Sequence, residues 1–162
     1  MQHLDPKAVW LFFFNFILRF LIIAIFFGVW VSAISFSPIS FILAVIVYIV
    51  LCYLWAKLTY SFYKYELTEA GFRKELGVIY KKYVTIPYDR IQNVDIYRGI
   101  LARLLGLSDL NIQTAGASMS MGNYGMMGGG SEGRLPGLSK EIAEKLRDEL
   151  IDRARKSKNQ GL

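Results

Sequence analysis

The chain has 162 residues, 54% of them hydrophobic, and a formal net charge of +6. It contains one cysteine, Cys52, and one histidine, His3, so it lacks the parts for an intrachain disulfide and for a Ser-His or Cys-His catalytic pair. The sequence also shows no histidine-rich zinc site, no Walker loop and no dinucleotide-binding glycine motif. We therefore predict a protein that is not an enzyme and that holds no cofactor.

Two long apolar runs come first along the chain. Between Lys7 and Lys57 the one charged residue is Arg19. A helix of about 20 apolar residues, rising ~1.5 Å per residue, crosses a hydrocarbon core of ~30 Å. Both runs are close to that length or longer, so we predict membrane-spanning helices at about 10–35 and 39–56.

The linker between the two runs, residues 35–38, is short and carries no charge. A linker this short makes the helices antiparallel, so the N-terminus and everything after the second helix lie on one side of the membrane. Basic residues flank the helices on that side, at Lys7, Lys57 and Lys64. The positive-inside rule then places both termini in the cytoplasm, and predicts a multi-pass protein of the cell membrane.

Arg19 is the feature of the first apolar run that needs an explanation. It lies ~13 Å of helix beyond Trp10, and an ionisable side chain at that depth is a functional candidate. One interpretation is structural: Arg19 snorkels toward Asn15, or contacts Tyr53 or Trp55 across the hairpin. The other interpretation is that Arg19 lines a polar path or an intersubunit contact.

The residues after the hairpin are typical of a small β domain closed by one helix. We divide the chain into an anchor over 1–57, a cytoplasmic domain over 58–156 and a disordered tail over 157–162. Alternation and turn signals predict strands at 62–67, 72–76, 80–86, 91–97, 110–114 and 135–138. A short apolar turn or helix is predicted at 99–106, and a helix over 140–156 follows the N-cap candidate Ser139.

A segment rich in glycine and methionine, residues 115–133, interrupts the domain. Its composition predicts a flexible loop, because it buries too little apolar surface to offset its chain entropy. Two functional interpretations remain beside that one. The segment could contact a partner or the membrane, or its thioethers could bind Cu(I), the candidates being Met119, Met121, Met126 and Met127.

Four segments after the two apolar runs carry a family resemblance. They are YELT at 65–68, IPYDRIQNV at 86–94, GILARLLGL at 99–107 and IQTAG at 112–116. In this order they resemble the prokaryotic membrane proteins with a pleckstrin-homology-like (PH-like) domain. The resemblance implies a transmembrane helical hairpin followed by a mainly β, seven-stranded sandwich or barrel with a C-terminal helix. The family was long catalogued as a domain of unknown function, so the resemblance says more about fold than about role.

Basic residues of the first predicted hairpin suggest a contact with anionic lipid. Eukaryotic domains of this class hold phosphoinositides with a basic cluster, which Lys64, Arg73 and Lys74 resemble only loosely. Arg73 and Lys74 are adjacent, so they point to opposite faces of a strand and cannot converge on one headgroup. Diffuse attraction of Lys64, Lys74, Lys81 and Lys82 to anionic lipid remains open, and so does a solvated basic surface.

The segment 86–93 also has two interpretations. In the first it is a structural corner, where Pro87 fixes the backbone and Asp89 and Arg90 bond to nearby groups. In the second it is a docking edge that exposes Arg90, Gln92 and Asn93 for strand addition or self-assembly.

These features together predict a membrane-anchored, non-enzymatic interaction or assembly module that faces the cytoplasm. Its expected partners are the lipid bilayer and a protein or a second copy of the chain, with no nucleic acid. The alternative is an accessory subunit of a membrane transport, export or envelope-stress complex. A polar face on the hairpin, built from Asn15, Arg19 and Tyr53, would distinguish that alternative.

The charge pattern makes a first testable prediction. A reporter that is active only in the cytoplasm should be active when fused to either terminus, because the basic flanks lie beside both ends and the linker has no charge. Activity of a reporter that works only outside the cytoplasm, at either terminus, would contradict the topology.

Overall fold

The structure is a computed structural model that describes residues 2–35, 38–114 and 133–160. Its elements, in chain order, are β1 (Gln2–His3), α1 (Ala8–Ser35), α2 (Pro38–Ser61), β2 (Lys64–Leu67), β3 (Gly71–Leu76), β4 (Lys82–Pro87), a 3-10 turn (Tyr88–Arg90), β5 (Ile91–Tyr97), α3 (Ile100–Leu104), β6 (Leu107–Thr114), β7 (Gly133–Ser139) and α4 (Lys140–Gln160).

Helices α1 and α2 form an antiparallel hairpin. Near its far end Gly28 lies against Phe41, where a Cβ on the glycine would come within 2.9 Å of the ring. Small residues let apolar helices approach closely in this way. Nearer the domain, the hydroxyl of Tyr48 donates a hydrogen bond to the carbonyl oxygen of Ile17 across the hairpin (2.8 Å). These two contacts set the stagger of the helices.

The hairpin is long and apolar enough to cross a membrane, over Ala8–Trp30 and Ile39–Ser61. In the 18-residue apolar window of each stretch, few residues are buried within the chain, 6% and 11% respectively. Ile22, for example, is 82% exposed. A core helix of a water-soluble domain would have its apolar stripe covered, so these helices present a far larger apolar surface than water-soluble monomers expose.

The strands form two antiparallel sheets, ordered β1-β2-β3-β4 and β5-β6-β7. Side chains from both sheets bury themselves in one core, among them Tyr65, Phe72, Leu110, Leu135 and Leu138. Helix α4 packs against β5, β6 and β7, and its apolar stripe in the core is Ala143, Leu146, Leu150 and Ala154. The predicted architecture of an apolar helical hairpin, seven strands and a C-terminal helix is confirmed.

Strand β1 was not predicted, and it changes how the two parts of the chain are connected. Gln2 pairs with Tyr65 and His3 with Lys64, so the segment before the hairpin is a strand of the domain's first sheet. The hairpin is therefore inserted between two adjacent strands. The predicted division at 57/58 differs from this arrangement, because residues 2–3 belong to the same sheet as residues after 63.

Several element ends differ from the predicted ones because tertiary contacts extend them. Helix α2 continues to Ser61, and β6 begins at Leu107, which is buried and pairs with Ser139. Helix α4 continues to Gln160, so the predicted tail is helical as far as that residue. There the ammonium group of Lys158 donates to the carbonyl oxygen of Ile91 (3.1 Å) and ties the last turns to β5.

Two glycines give a matched test of the packing between α1 and β7. Gly137 and Gly106 both have positive φ, 70° and 72°. A Cβ on Gly137 would lie 2.5 Å from the Cβ of Ala8, whereas one on Gly106 meets nothing within 4 Å. Alanine at either position destabilises the fold by about 1–2 kcal/mol, because the backbone there is left-handed. Gly137→Ala costs a further ~1–3 kcal/mol of stability through overpacking.

We expect Gly137→Ala to lower the midpoint of thermal unfolding in detergent clearly more than Gly106→Ala. Equal shifts for the two variants would contradict the close contact between α1 and β7.

Candidate functional site

The base of the hairpin meets the domain at a junction that includes backbone hydrogen bonds. The N–H of Asp5, just before α1, donates to the carbonyl oxygen of Gly137 in β7 (3.2 Å). The hydroxyl of Tyr63, just after α2, donates to the carbonyl oxygen of Arg134 in the same strand (2.8 Å). Each bond of this kind contributes about 0.5–1.5 kcal/mol net. Both ends of the hairpin are thus bonded to one strand of the second sheet.

Apolar packing closes the same junction. Ala8 is fully buried, and it belongs with Leu4 and Leu11 to the core of the domain. The ring of Phe12 stacks on that of Tyr63, with centroids 6.5 Å apart. The hydroxyl of Tyr60 donates to the carbonyl oxygen of Leu4 (3.2 Å). The first turns of α1 and the domain therefore share one hydrophobic core, and the hairpin is not joined to the domain by a flexible linker.

Tyr63 retains its proton at this junction. Burial raises the pKa of Tyr63, the nearby Asp109 carboxylate raises it further, and the Arg134 guanidinium opposes both. The raised pKa keeps the phenol neutral well into the alkaline range, so its hydrogen bond to β7 does not depend on pH near neutrality.

The end of the first sheet that leads into the hairpin also carries the β3–β4 turn (residues 77–81). Lys64 follows closely after α2 and pairs with Glu75, one residue before β3 ends. In the turn, Ile79 and Tyr80 are 72% and 87% exposed, and Lys81 is also exposed. An exposed apolar pair with adjacent lysines therefore lies beside the base of the helices.

Lys74 is not the surface cation that the lipid interpretation required. It is 6% exposed, and its ammonium group donates to the carbonyl oxygen of Arg134 (3.0 Å). Arg73, its neighbour, points to the other face and lies 3.8 Å from Glu66, as the alternation predicted. Lys64 is half-buried at the start of β2. The structure thus does not gather Lys64, Arg73 and Lys74 into one headgroup site.

The corner at 86–93 is structural at its centre and exposed at its end. Arg90, Gln92 and Asn93 are all exposed, as a docking edge requires. The start of β5 is nevertheless partly capped by the chain itself. The side-chain oxygen of Asn93 accepts from the N–H of Val94 (3.0 Å), and the carbonyl oxygen of Ile91 already accepts from Lys158. Such capping discourages strand addition.

Tyr88, which sequence reasoning did not single out, fixes this corner. Its hydroxyl donates to the carbonyl oxygen of Thr68 (2.8 Å), and the guanidinium of Arg153 donates to both oxygens (3.3 Å each). Arg153 is held in turn by Glu149 (2.6 Å). Burial raises the pKa of Tyr88, against the opposing effect of Arg153. The contacts predicted for Asp89 and Arg90 are thus made by Tyr88 and α4.

Within the described ranges 2–35, 38–114 and 133–160, no group of three His, Cys, Asp or Glu side chains could hold a metal ion. His3 packs against the ring of Tyr60, with centroids 6.5 Å apart. Two open depressions, of about 510 and 300 Å³, lie along α4, and their walls mix acidic and basic side chains. The Cu(I) candidates Met119, Met121, Met126 and Met127 lie outside the described residues.

Arg19 does not contact Tyr53 or Trp55 across the hairpin, as one interpretation expected. Its guanidinium lies 5.7 Å from the ring centroid of Phe20, the next residue. Tyr53 packs instead against Trp10 and Phe13, because the stagger of the helices places it roughly two turns from Arg19. Asn15 bonds to a carbonyl oxygen of its own helix. Asn15, Arg19 and Tyr53 therefore have separate partners and do not form one polar face.

A pair of variants separates Arg19 from the true contact between the helices. Arg19→Leu should insert at least as well as the wild type, since an arginine near a helix centre costs about 2.5–3.5 kcal/mol on insertion scales. Its thermal midpoint in detergent should not fall. Tyr48→Phe, which deletes the bond to Ile17, should lower stability by about 0.6 kcal/mol. A larger loss for Arg19→Leu than for Tyr48→Phe would show that Arg19 makes a stabilising contact of its own.

Comparison with known proteins identifies the family. The profile of the bacterial PH domain family matches residues 12–154, which include most of the hairpin, the six strands β2 to β7 and most of α4. Among curated proteins and among solved structures, none matches the chain. The matched region therefore covers every described strand except β1, together with most of the C-terminal helix. The chain belongs to the bacterial PH domain family.

Proposed function

We propose that this protein is a membrane-anchored, non-enzymatic interaction or assembly module. In this proposal the hairpin crosses the bilayer and holds the PH domain at the cytoplasmic surface. The large exposed apolar surface of both helices supports the crossing, and the basic flanks at Lys7, Lys57 and Lys64 support the cytoplasmic orientation.

The junction is the observation that carries the proposal. A strand from before the hairpin pairs with a strand from after it, and Ala8 packs against Gly137. A domain held at several points cannot rotate about a linker. It therefore keeps one orientation relative to the hairpin, and the same surfaces remain accessible to partners beside the membrane. A domain whose orientation is already fixed loses less freedom of its own when a partner binds at the membrane, which strengthens binding without new contacts.

The outer edge of β4 is the surface that best suits a protein partner. Among the residues that the structure describes, β4 pairs on one side with β3 and is the last strand of its sheet. Lys82, Tyr83 and Thr85 along it are exposed. An extended segment of a partner, or of a second copy, can add to such an edge through main-chain hydrogen bonds. The exposed group Arg90, Gln92 and Asn93 is the second candidate, since the start of β5 is partly capped.

The structure gives less support to a transport, export or envelope-stress subunit. That role calls for a polar face on the hairpin, because polar groups inside a membrane mark substrate or ion paths. The three candidates for such a face, Asn15, Arg19 and Tyr53, each have a different neighbour. We therefore keep this role as the alternative.

Site-specific photo-crosslinking in native membranes tests the docking surface. A photoreactive residue at Thr85 should give a discrete adduct with a protein, or with a second copy of the chain, because no described strand pairs with the outer edge of β4. The same residue at Glu144, exposed on α4, is the control and should give none. A third position, Gln92, tests the second candidate edge. Absence of a discrete adduct at both Thr85 and Gln92 would contradict the proposed module.

A further inference from the structure

We infer that the β3–β4 turn is a second membrane contact, in addition to the hairpin. Ile79 and Tyr80 enter the interfacial layer of the bilayer, and Lys81 and Lys82 lie against the phosphates of anionic lipids. This inference rests on the proposed crossing of the membrane by the hairpin. The turn contacts the lipid leaflet on the same side of the membrane as the domain.

The register of the first sheet determines how close the β3–β4 turn lies to the membrane. Lys64 pairs with Glu75, and Glu75 pairs with Tyr83. Continued past the ends of the strands, this antiparallel register brings the turn level with the last residues of α2, which end at Ser61. The headgroup layers extend the bilayer from about 30 Å to about 40–45 Å. The last turn of α2, just beyond the exposed Trp55, falls in that layer, and so does the β3–β4 turn.

The side chains of the turn suit an interface better than water. Ile79 and Tyr80 are among the most exposed apolar side chains outside the hairpin, at 72% and 87%. Tyrosine combines an apolar ring with a polar hydroxyl and is enriched at membrane–water interfaces. Tyr83, next along β4, is also exposed and carries the guanidinium of Arg73 over its ring (5.8 Å). Lys82 and Tyr83 are adjacent on β4 and point to opposite faces of the sheet, so the apolar groups and the cations share the end of one hairpin of strands and not one face.

The charge of the turn favours an anionic surface. Lys81 and Lys82 are both exposed. Glu75 lies 3.8 Å from Lys81 and offsets that charge, whereas Lys82 forms no ion pair with the residues that the structure describes. Attraction between basic side chains close to the bilayer and anionic lipids adds to the apolar contact.

The turn is held in shape and position before it meets lipid. Gly77 opens it with φ of 110°, and any side chain there would collide with the carbonyl oxygen of Tyr80. The strands on either side belong to the sheet that β1 joins to the hairpin. Little additional freedom is therefore lost when the turn meets the bilayer, and preorganisation of this kind strengthens a contact that involves few side chains.

Spin-label accessibility in vesicles tests the inference on the full chain. In a Cys52→Ala background, single cysteines carry a nitroxide at position 80 in the turn, at position 70 in the opposite β2–β3 turn, or at position 22 in the middle of α1. Each protein is reconstituted in vesicles of phosphatidylcholine with and without phosphatidylglycerol. Collision with oxygen, which dissolves in the bilayer, is compared with collision with a water-soluble nickel chelate.

The label at position 80 should be shielded from nickel and open to oxygen, and the label at position 70 should be open to nickel. The label at position 22 should show the highest ratio of oxygen to nickel collisions. Adding Lys81→Gln and Lys82→Gln should reduce the shielding of position 80 in vesicles with phosphatidylglycerol to the level seen without it.

Three results would overturn the inference. If position 80 is as open to nickel as position 70 while position 22 is shielded from nickel, the turn lies in water although the hairpin crosses the bilayer. If position 80 is closed to both oxygen and nickel, a protein surface covers it. If position 22 is open to nickel, the hairpin does not cross the bilayer, and the proposed function fails together with the inference.

Discussion

The pairing of β1 with β2 is the constraint on which the rest of this structure depends. Gln2 and His3 come before the hairpin, and their partners Tyr65 and Lys64 come after it. Neither helix can shift relative to the domain without breaking this pairing or separating Ala8 from Gly137. The fold, and not a linker, therefore sets the orientation of the domain relative to the two apolar helices.

The different roles of similar residues follow from that orientation. Lys74 lies in β3 and Lys81 lies at the end of the turn that follows it. Lys74 is buried against a carbonyl oxygen of β7, whereas Lys81 is exposed beside the base of the helices. At the opposite end of the first sheet, Tyr88 and Arg153 bond to Thr68 and hold α4 in place. The end near the helices is thus rich in exposed apolar and basic groups, whereas the far end is closed by hydrogen bonds.

Local patterns predicted most of the fold, and long-range contacts account for what they missed. The hairpin and most strands follow from run length and from alternation, which neighbouring residues determine. Strand β1 has two residues, too few to show an alternation of apolar and polar side chains. It forms only because it pairs with β2, some 60 residues further along the chain. The burial of Lys74 depends on Arg134, far along the chain. From the sequence, one interpretation places Arg19 beside Tyr53 or Trp55, but the contact between Tyr48 and Ile17 sets a different stagger of the two helices.

Hydrogen exchange of the intact protein in lipid bicelles tests the central claim most directly. The amide of Asp5 bonds to the carbonyl oxygen of Gly137 across the junction. If the hairpin base and the domain share one core, this amide should be protected to the same degree as core amides such as those of Phe72 in β3 and Leu110 in β6, because all of them open together. Exchange of Asp5 at the rate of an unstructured peptide, with Phe72 and Leu110 still protected, would show that the domain folds independently of the hairpin.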